Sequence, residues 1–417
     1  MTLYADRTIP LGARLKPPAE LRADGAGPAP VLPAQVDVAV IGAGVIGLSI
    51  AWRLVCRGLS VAVFDRAEPG SGTSFAATGM LAAAAEHEPG GDDLLALALD
   101  SQRQWLEFRA TLEAEAGASI DYRDEGTLVV ALGRDEVERL RFRHEQQRRA
   151  GLNTRWLNGM EVRGIEPGLR AAVAAGISCP DDHQVDPRRL VPALAAAFVR
   201  RGGLLFQNNA VTSLDMAGGR GCGLLTANSR CQAQIVVAAA GAWSADGILP
   251  AALDIPMRPL KGQALALRTS RQTGAPRHVI WTEQIHLAPK GDGQLIVGST
   301  MEDTGFNPAI TAGGVLALLE GVHRALPSSE EMEIEAVWSG FRPTTDDDAP
   351  IIGVSGVPGL LLATGHHRYG ILLAPVTATA IEQLITTGAM SEAASRFGLA
   401  RFQRSNAPSA QFAGARA

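Results

Sequence analysis

Apolar residues are arranged along this chain in two ways. Short, nearly unbroken runs occur at Val36-Asp37-Val38-Ala39-Val40-Ile41, Ser60-Val61-Ala62-Val63-Phe64, Ile235-Val236-Val237-Ala238-Ala239-Ala240-Gly241 and Leu360-Leu361-Leu362-Ala363-Thr364-Gly365. Runs of this length predict strands buried on both faces, as in a parallel sheet. Other stretches have helical spacing. A helix is expected from about Val45 to Arg57, with Gly58 at its C-terminal cap. Leu94, Leu97, Ala98, Trp105, Phe108 and Leu112 share one helical face. Asp186-Pro187 opens a helix to about Arg201, with aspartate as N-cap and proline in the first turn. Residues 135–150 predict a strongly charged helix with an exposed face, and 312–326 and about Leu373 to Ile385 predict two more. Gly126 to Leu132 reads as a strand, and 258–300 as successive strands with a turn at Gly291-Asp292-Gly293.

The parallel-sheet signals come near the start, around 200–240 and near 360, with antiparallel signals between them. That order predicts an α/β (mixed α+β) chain of two interleaved domains. A Rossmann-like nucleotide domain is expected at 35–90, 170–255 and 335–390, and a domain built on an antiparallel sheet at 91–169 and 256–334. Residues 1–34, rich in Pro, Ala and Gly, read as an irregular arm, and 391–417 as a tail.

Composition narrows the function classes. A length of 417 residues with 46% hydrophobic and 19% charged residues excludes a disordered chain. The net charge of −5 argues against nucleic acid as a partner. No apolar run is long enough to span a membrane, and the N-terminus lacks a signal-peptide pattern. Cys56, Cys179, Cys222 and Cys231 form no CxxC pair, so no metal centre is expected. Scattered cysteines fit a reducing compartment, and a soluble cytoplasmic protein is expected.

Gly42-Ala43-Gly44-Val45-Ile46-Gly47 follows the first strand and opens the first helix, in the pattern G-x-G-x-x-G. Gly42 permits the tight turn, Gly44 lets a pyrophosphate approach the backbone, and Gly47 lets the helix pack on the sheet. The helix N-terminus offers N–H groups to phosphate. Asp65 ends the second strand, where a carboxylate accepts hydrogen bonds from ribose hydroxyls. This motif indicates a dinucleotide and does not choose between NAD and FAD.

Later segments carry a resemblance. Gly70-Ser71-Gly72-Thr73-Ser74-Phe75-Ala76-Ala77-Thr78-Gly79-Met80-Leu81, Asp182-His183-Gln184-Val185-Asp186-Pro187 and Gly241-Ala242-Trp243-Ser244 occur in order. They are followed by Trp338-Ser339-Gly340-Phe341-Arg342-Pro343 and Gly365-His366-His367-Arg368-Tyr369-Gly370-Ile371-Leu372-Leu373-Ala374-Pro375. Together they resemble the FAD-dependent D-amino-acid oxidase and glycine oxidase family over residues 36–386. The resemblance implies FAD, bound at Gly42, Gly44, Val45, Ile46, Gly47, Asp65, Arg66, Thr73, Ser74, Thr78, Gly79, Met80, Val211 and Gly241, and along His366 to Leu372. Thr73 and Ser74 are expected to donate to phosphate. Gly370, Ile371 and Leu372 are expected to offer backbone N–H groups to the flavin. Relatives that tether flavin do so through a Cys near the Arg342 segment; no Cys lies between 232 and 417, so non-covalent FAD is expected.

The resemblance also implies the chemistry. A hydride leaves the substrate Cα–H for flavin N5, water hydrolyses the imine, and O2 reoxidises the flavin with release of H2O2. The implied substrate is glycine or a small related amine acid. Arg342 suits its carboxylate, because a guanidinium grips a carboxylate with two parallel hydrogen bonds. Its alternative is an ion pair with the Asp346-Asp347-Asp348 run. Arg368 is expected near flavin and substrate, or in a structural pair. His286 stands where glycine oxidase carries a substrate-binding Tyr. There it either bonds the substrate carboxylate, titrating near neutral pH, or is an ordinary strand histidine. His183, His366 and His367 lack partners at metal-ligand spacing. A dehydrogenase subunit passing electrons to a protein or quinone shares these motifs, as in hydrogen cyanide synthase, D-amino-acid dehydrogenase and opine oxidase; a non-catalytic flavoprotein is a further alternative. Homo- and hetero-oligomeric assembly are both compatible with the pattern.

Overall fold

The computed structural model describes residues 31–270 and 274–405; most of the expected arm at 1–34 and residues 406–417 of the tail lie outside them. An eight-stranded sheet carries Gln35–Ile41 at its centre, flanked by Arg230–Ala238 and Val61–Phe64. Leu360–Thr364 and Leu204–Phe206 extend it in parallel, and Ile351–Val354 closes one edge antiparallel. The hairpin Val211–Ala217 and Arg220–Thr226 pairs onto Arg230–Ala238. The three unbroken apolar runs near 40, 235 and 360 are thus neighbours in one sheet, as runs buried on both faces require.

Helices Val45–Cys56, Pro187–Arg200, Asp92–Ala116 and Ala374–Thr387 pack with one another against this sheet. Their shared core includes Leu48, Leu54, Trp105, Phe108, Leu194, Phe198 and Ile381. Local signals set their ends. Gly58 takes φ +82° after the first helix, and the Asp186 side chain accepts from Arg188 N–H at 3.0 Å.

The second eight-stranded sheet runs in the order Glu333–Thr345, Met257–Arg268, Gln294–Gly298, His286–Pro289, Val279–Trp281, Thr127–Ala131, Ala175–Cys179 and Arg155–Asn158. All its pairs are antiparallel except Val279–Trp281 with Thr127–Ala131. Glu333–Thr345 and Ala175–Cys179 lie here, although the segments 335–390 and 170–255 were expected with the first sheet. The alternation Glu333, Ile334, Glu335, Ala336 is that of a half-buried antiparallel strand. Beyond residue 390 the chain folds back: Ile352 N–H donates to Phe397 O at 2.9 Å, and Arg401 pairs with Asp347 at 2.7 Å. No helix among the described residues is long and apolar enough to cross a membrane.

Candidate active site

A cavity of about 1050 Å³ is lined by residues of both sheets. At one end stands the glycine turn. Gly42 takes φ +104°, and a Cβ on Gly47 would lie 2.0 Å from Gly42 O, so the turn closes only with glycine at both positions. Gly44 faces the cavity; a Cβ there would meet only Ser74 Oγ, at 3.3 Å. Asp65 accepts from Ala43 N–H at 2.7 Å and Ala67 N–H at 2.9 Å, which fixes the turn. Burial raises its carboxyl, and those two N–H groups oppose the rise. Arg66 lies over the Trp243 ring at 4.1 Å.

At the other end, helix Ala374–Thr387 begins beside the cavity. The backbone N–H groups of Gly370, Ile371 and Leu372 find no protein acceptor among the described residues. Gly44 N–H likewise has none. Free N–H groups at both ends, a glycine cradle without side chains and a cavity of this size fit an elongated anionic dinucleotide.

Two arginines reach the wall between these ends. Arg342 stands opposite Leu260 in the longest strand pair of the second sheet. Its guanidinium donates to Thr300 O at 3.3 Å and to Ser299 Oγ. Burial lowers its pKa, while Glu86 raises it. No carboxylate lies within ion-pair distance among the described residues. The acidic run points elsewhere: Asp347 pairs with Arg401, and Asp348 lies 3.4 Å from the His367 ring. Arg368 lies 3.0 Å from Glu86 and also pairs with Glu88. Burial opposes its charge, but the two glutamates hold its pKa above the usual arginine range.

Glu86, Arg143 and Lys290 are groups in or just behind this wall that the sequence alone does not point to. The Glu86 carboxyl is buried in the cavity wall, and burial pushes its pKa up to about 7 against the pull of Arg368. A lone carboxylate ending the run Ala82-Ala83-Ala84-Ala85 was the available signal. Arg143, on helix Arg134–Arg149, also lines the cavity. Lys290 lies just behind the wall, donating to Thr78 O and Val185 O at 2.8 Å and to Gln184 Oε1 at 3.0 Å; burial lowers it to about 7.

Most expected residues line the cavity: Gly42, Gly44, Val45, Ile46, Asp65, Arg66, Thr73, Ser74, Thr78, Gly79, Met80, Val211, Gly241, His286, Arg342, His366, His367, Arg368, Gly370 and Ile371. Several details differ from expectation. Gly47 packs behind the turn. The Thr73 hydroxyl donates to Phe341 O at 2.6 Å, so its proton is engaged within the protein; Ser74 Oγ accepts from Val45 N–H at 3.0 Å and keeps its own proton. Tyr369 turns away, its hydroxyl donating to Glu86 O at 3.1 Å. The Leu372 side chain is buried in the core, and its carbonyl accepts from Ser101 Oγ at 2.6 Å and Trp105 Nε1 at 2.8 Å.

His286 is in the wall, with Nε2 buried and unpartnered. It does not titrate near neutral pH: burial, Arg342 and Lys290 push it down to about 3, so the ring is neutral. His366 Nε2 and His367 Nδ1 each meet a threonine hydroxyl at 3.0 Å, Thr377 and Thr344, and burial lowers both to about 3.

Known proteins share this architecture. A family model described as FAD dependent oxidoreductase matches residues 37–384. The bifunctional protein ThiO/ThiG of Trichormus variabilis is 35% identical over 88% of this chain, which spans about half (55%) of that protein's length. The hydrogen cyanide synthase subunit HcnC of Pseudomonas aeruginosa is 30% identical, covering 88% of this chain and 96% of the subunit. The crystal structure of glycine oxidase from Geobacillus kaustophilus superposes with a TM-score of 0.81 at 31% identity, over 89% of this chain and 98% of that one. The chain therefore belongs to the family of FAD-dependent oxidoreductases that includes the glycine oxidases, and FAD is its cofactor.

Proposed function

We propose that this enzyme oxidatively deaminates glycine or a small related amine acid, a D-amino acid or an N-substituted glycine, with O2 as final acceptor. One observation carries the reading. The Arg342 guanidinium faces the cavity without a carboxylate partner among the described residues, braced from behind by Thr300 O and Ser299 Oγ. A braced guanidinium grips a carboxylate in a fixed direction, and orientation of the reacting carbon is what such a reaction needs.

Gly42, Gly44, Val45, Ile46, Asp65, Arg66, Ser74 and Gly241 would hold the nucleotide, with Gly370 and Ile371 beside the ring. Bound there, FAD supplies the two-electron acceptor. The free N–H groups of residues 370–372 offer donors to developing negative charge. Neutral His286, beside Arg342, adds one hydrogen-bonding nitrogen to the carboxylate site. Glu86 lines the same cavity, and in its ionised form it can accept a proton from a substrate ammonium.

The test is anaerobic mixing of the yellow protein with glycine, sarcosine, D-alanine and D-proline, followed by admission of air. Bleaching by one of these, then peroxide release, is expected; no bleaching by any of them would contradict the proposal. A second reading, a dehydrogenase subunit passing electrons to a protein or quinone, draws on the 30% identity to HcnC. Bleaching without peroxide release would favour it.

A further inference from the structure

Helix Arg134–Arg149 turns one stripe inward: Glu136, Leu140, Arg143 and Gln147, spaced by four, three and four residues. Gln147 is fully buried and donates to Ala84 O at 2.9 Å, which fastens the helix to the Ala82–Glu86 segment. Arg143, one turn earlier, is thereby held in the cavity wall. Its helix neighbours Arg139, Arg141 and Arg149 each pair with a glutamate. Arg143 has neither a hydrogen bond nor an ion pair among the described residues. Its guanidinium lies 6.0 Å from the Trp281 ring centroid.

A strip of contacts joins it to Arg342. Arg342 donates to Ser299, which follows Gly298. A Cβ on Gly298 would lie 2.9 Å from His286 Nε2. The His286 ring is 5.6 Å from Trp281, and Trp281 leads to Arg143. Two guanidinia without carboxylate partners thus stand at opposite ends of one aromatic strip. Arg368, another arginine of the wall, already has Glu86 and Glu88. Burial lowers the Arg143 pKa and nearby Arg368 adds to the fall, while Glu88 and Glu86 oppose it without reaching ion-pair distance; a half-buried cation with no direct partner is costly, and a ligand carboxylate would offset that cost.

We propose that Arg143 is a specificity-determining residue that binds a second carboxylate, so that the preferred substrate is an amine diacid spanning Arg342 and Arg143. This rests on the substrate role given to Arg342 above. A diacid matches the two unpartnered cations in number and in charge.

The test uses the FAD-loaded enzyme and unreactive ligands, read by the shift they cause in the flavin absorption band. Malonate, succinate, glutarate and adipate are each compared with the monocarboxylate of equal chain length. At least one diacid should bind tenfold or more tightly than its monoacid. Arg143→Met and Arg143→Gln should each erase that advantage while leaving monoacid affinity within about twofold. No diacid advantage in the wild type, or an advantage that survives both variants, overturns the proposal. Arg342→Ala separates the two readings. Weakened binding of monoacids and diacids alike upholds the Arg342 role whatever Arg143 does, whereas unchanged monoacid binding removes the premise.

Discussion

At the Gly42–Gly47 end of the cavity the turn itself is backbone without side chains; at the Arg342 end the wall is a cluster of charged side chains. The first end is made within one strand–turn–helix unit, with Asp65 reaching back from the next strand. The second is assembled from segments far apart in the chain, at Glu86, Arg143, His286, Arg342 and Arg368. A backbone cradle tolerates no added atoms but asks little of side-chain chemistry. A side-chain cluster tolerates substitution of shape but depends on charge. Changes at the first end should therefore abolish cofactor binding, and changes at the second should alter what is bound while the protein stays yellow.

The largest effect should follow Gly47→Ala. Its Cβ would lie 2.0 Å from Gly42 O, so the turn must open. The purified variant should lose most of its flavin, measured as absorbance near ~450 nm, a property of the cofactor itself; a fully yellow variant would erase the contrast between the two ends. Next comes Arg342→Ala, which should retain flavin. Two charge-assisted hydrogen bonds worth about 1.5–3 kcal/mol each make a loss of at least ~100-fold in kcat/KM the expected outcome.

Glu86 sharpens the comparison through pH. Its carboxyl titrates near 7. As pH rises through that value, negative charge appears beside Arg368 and Arg342, and binding of anionic ligands should weaken by roughly tenfold between pH 6 and 8. Glu86→Gln should flatten that profile, and an unaltered profile would remove Glu86 from the site. Stability should move too. A carboxyl raised by burial contributes fully below its ordinary value of 4.5 and loses that contribution as pH rises through about 7. The Tm of Glu86→Gln should therefore exceed that of the wild type above pH 7. The smallest effect belongs to His286→Phe: because the ring is already neutral, KM should rise a fewfold with no movement of the pH profile between 5 and 8.

The same comparison explains what could be read from the amino-acid sequence. The strands at 36–41, 235–241 and 360–365 announce themselves by composition, and the glycine turn by spacing, because both are local. The partners of Arg342 are not local. Thr300 and Ser299 reach it only through the pairing of three antiparallel strands, which no periodicity specifies. Arg143 was hidden in a helix that is charged all round; only the stripe Glu136, Leu140, Arg143, Gln147 betrays the inward face. Glu86 follows four alanines and carries no motif of its own. Thr73, Tyr369 and Leu372 lie in the right segments, yet their side chains serve the protein's own hydrogen bonds and core.

The most direct test of the account is an anaerobic titration of wild type and Arg342→Ala with a reactive amine acid, following the flavin band. Bleaching in the wild type is predicted, together with an Arg342→Ala protein that keeps its flavin and needs at least ~100-fold more substrate for half-bleaching. Half-bleaching of Arg342→Ala at the same substrate concentration as the wild type would contradict it.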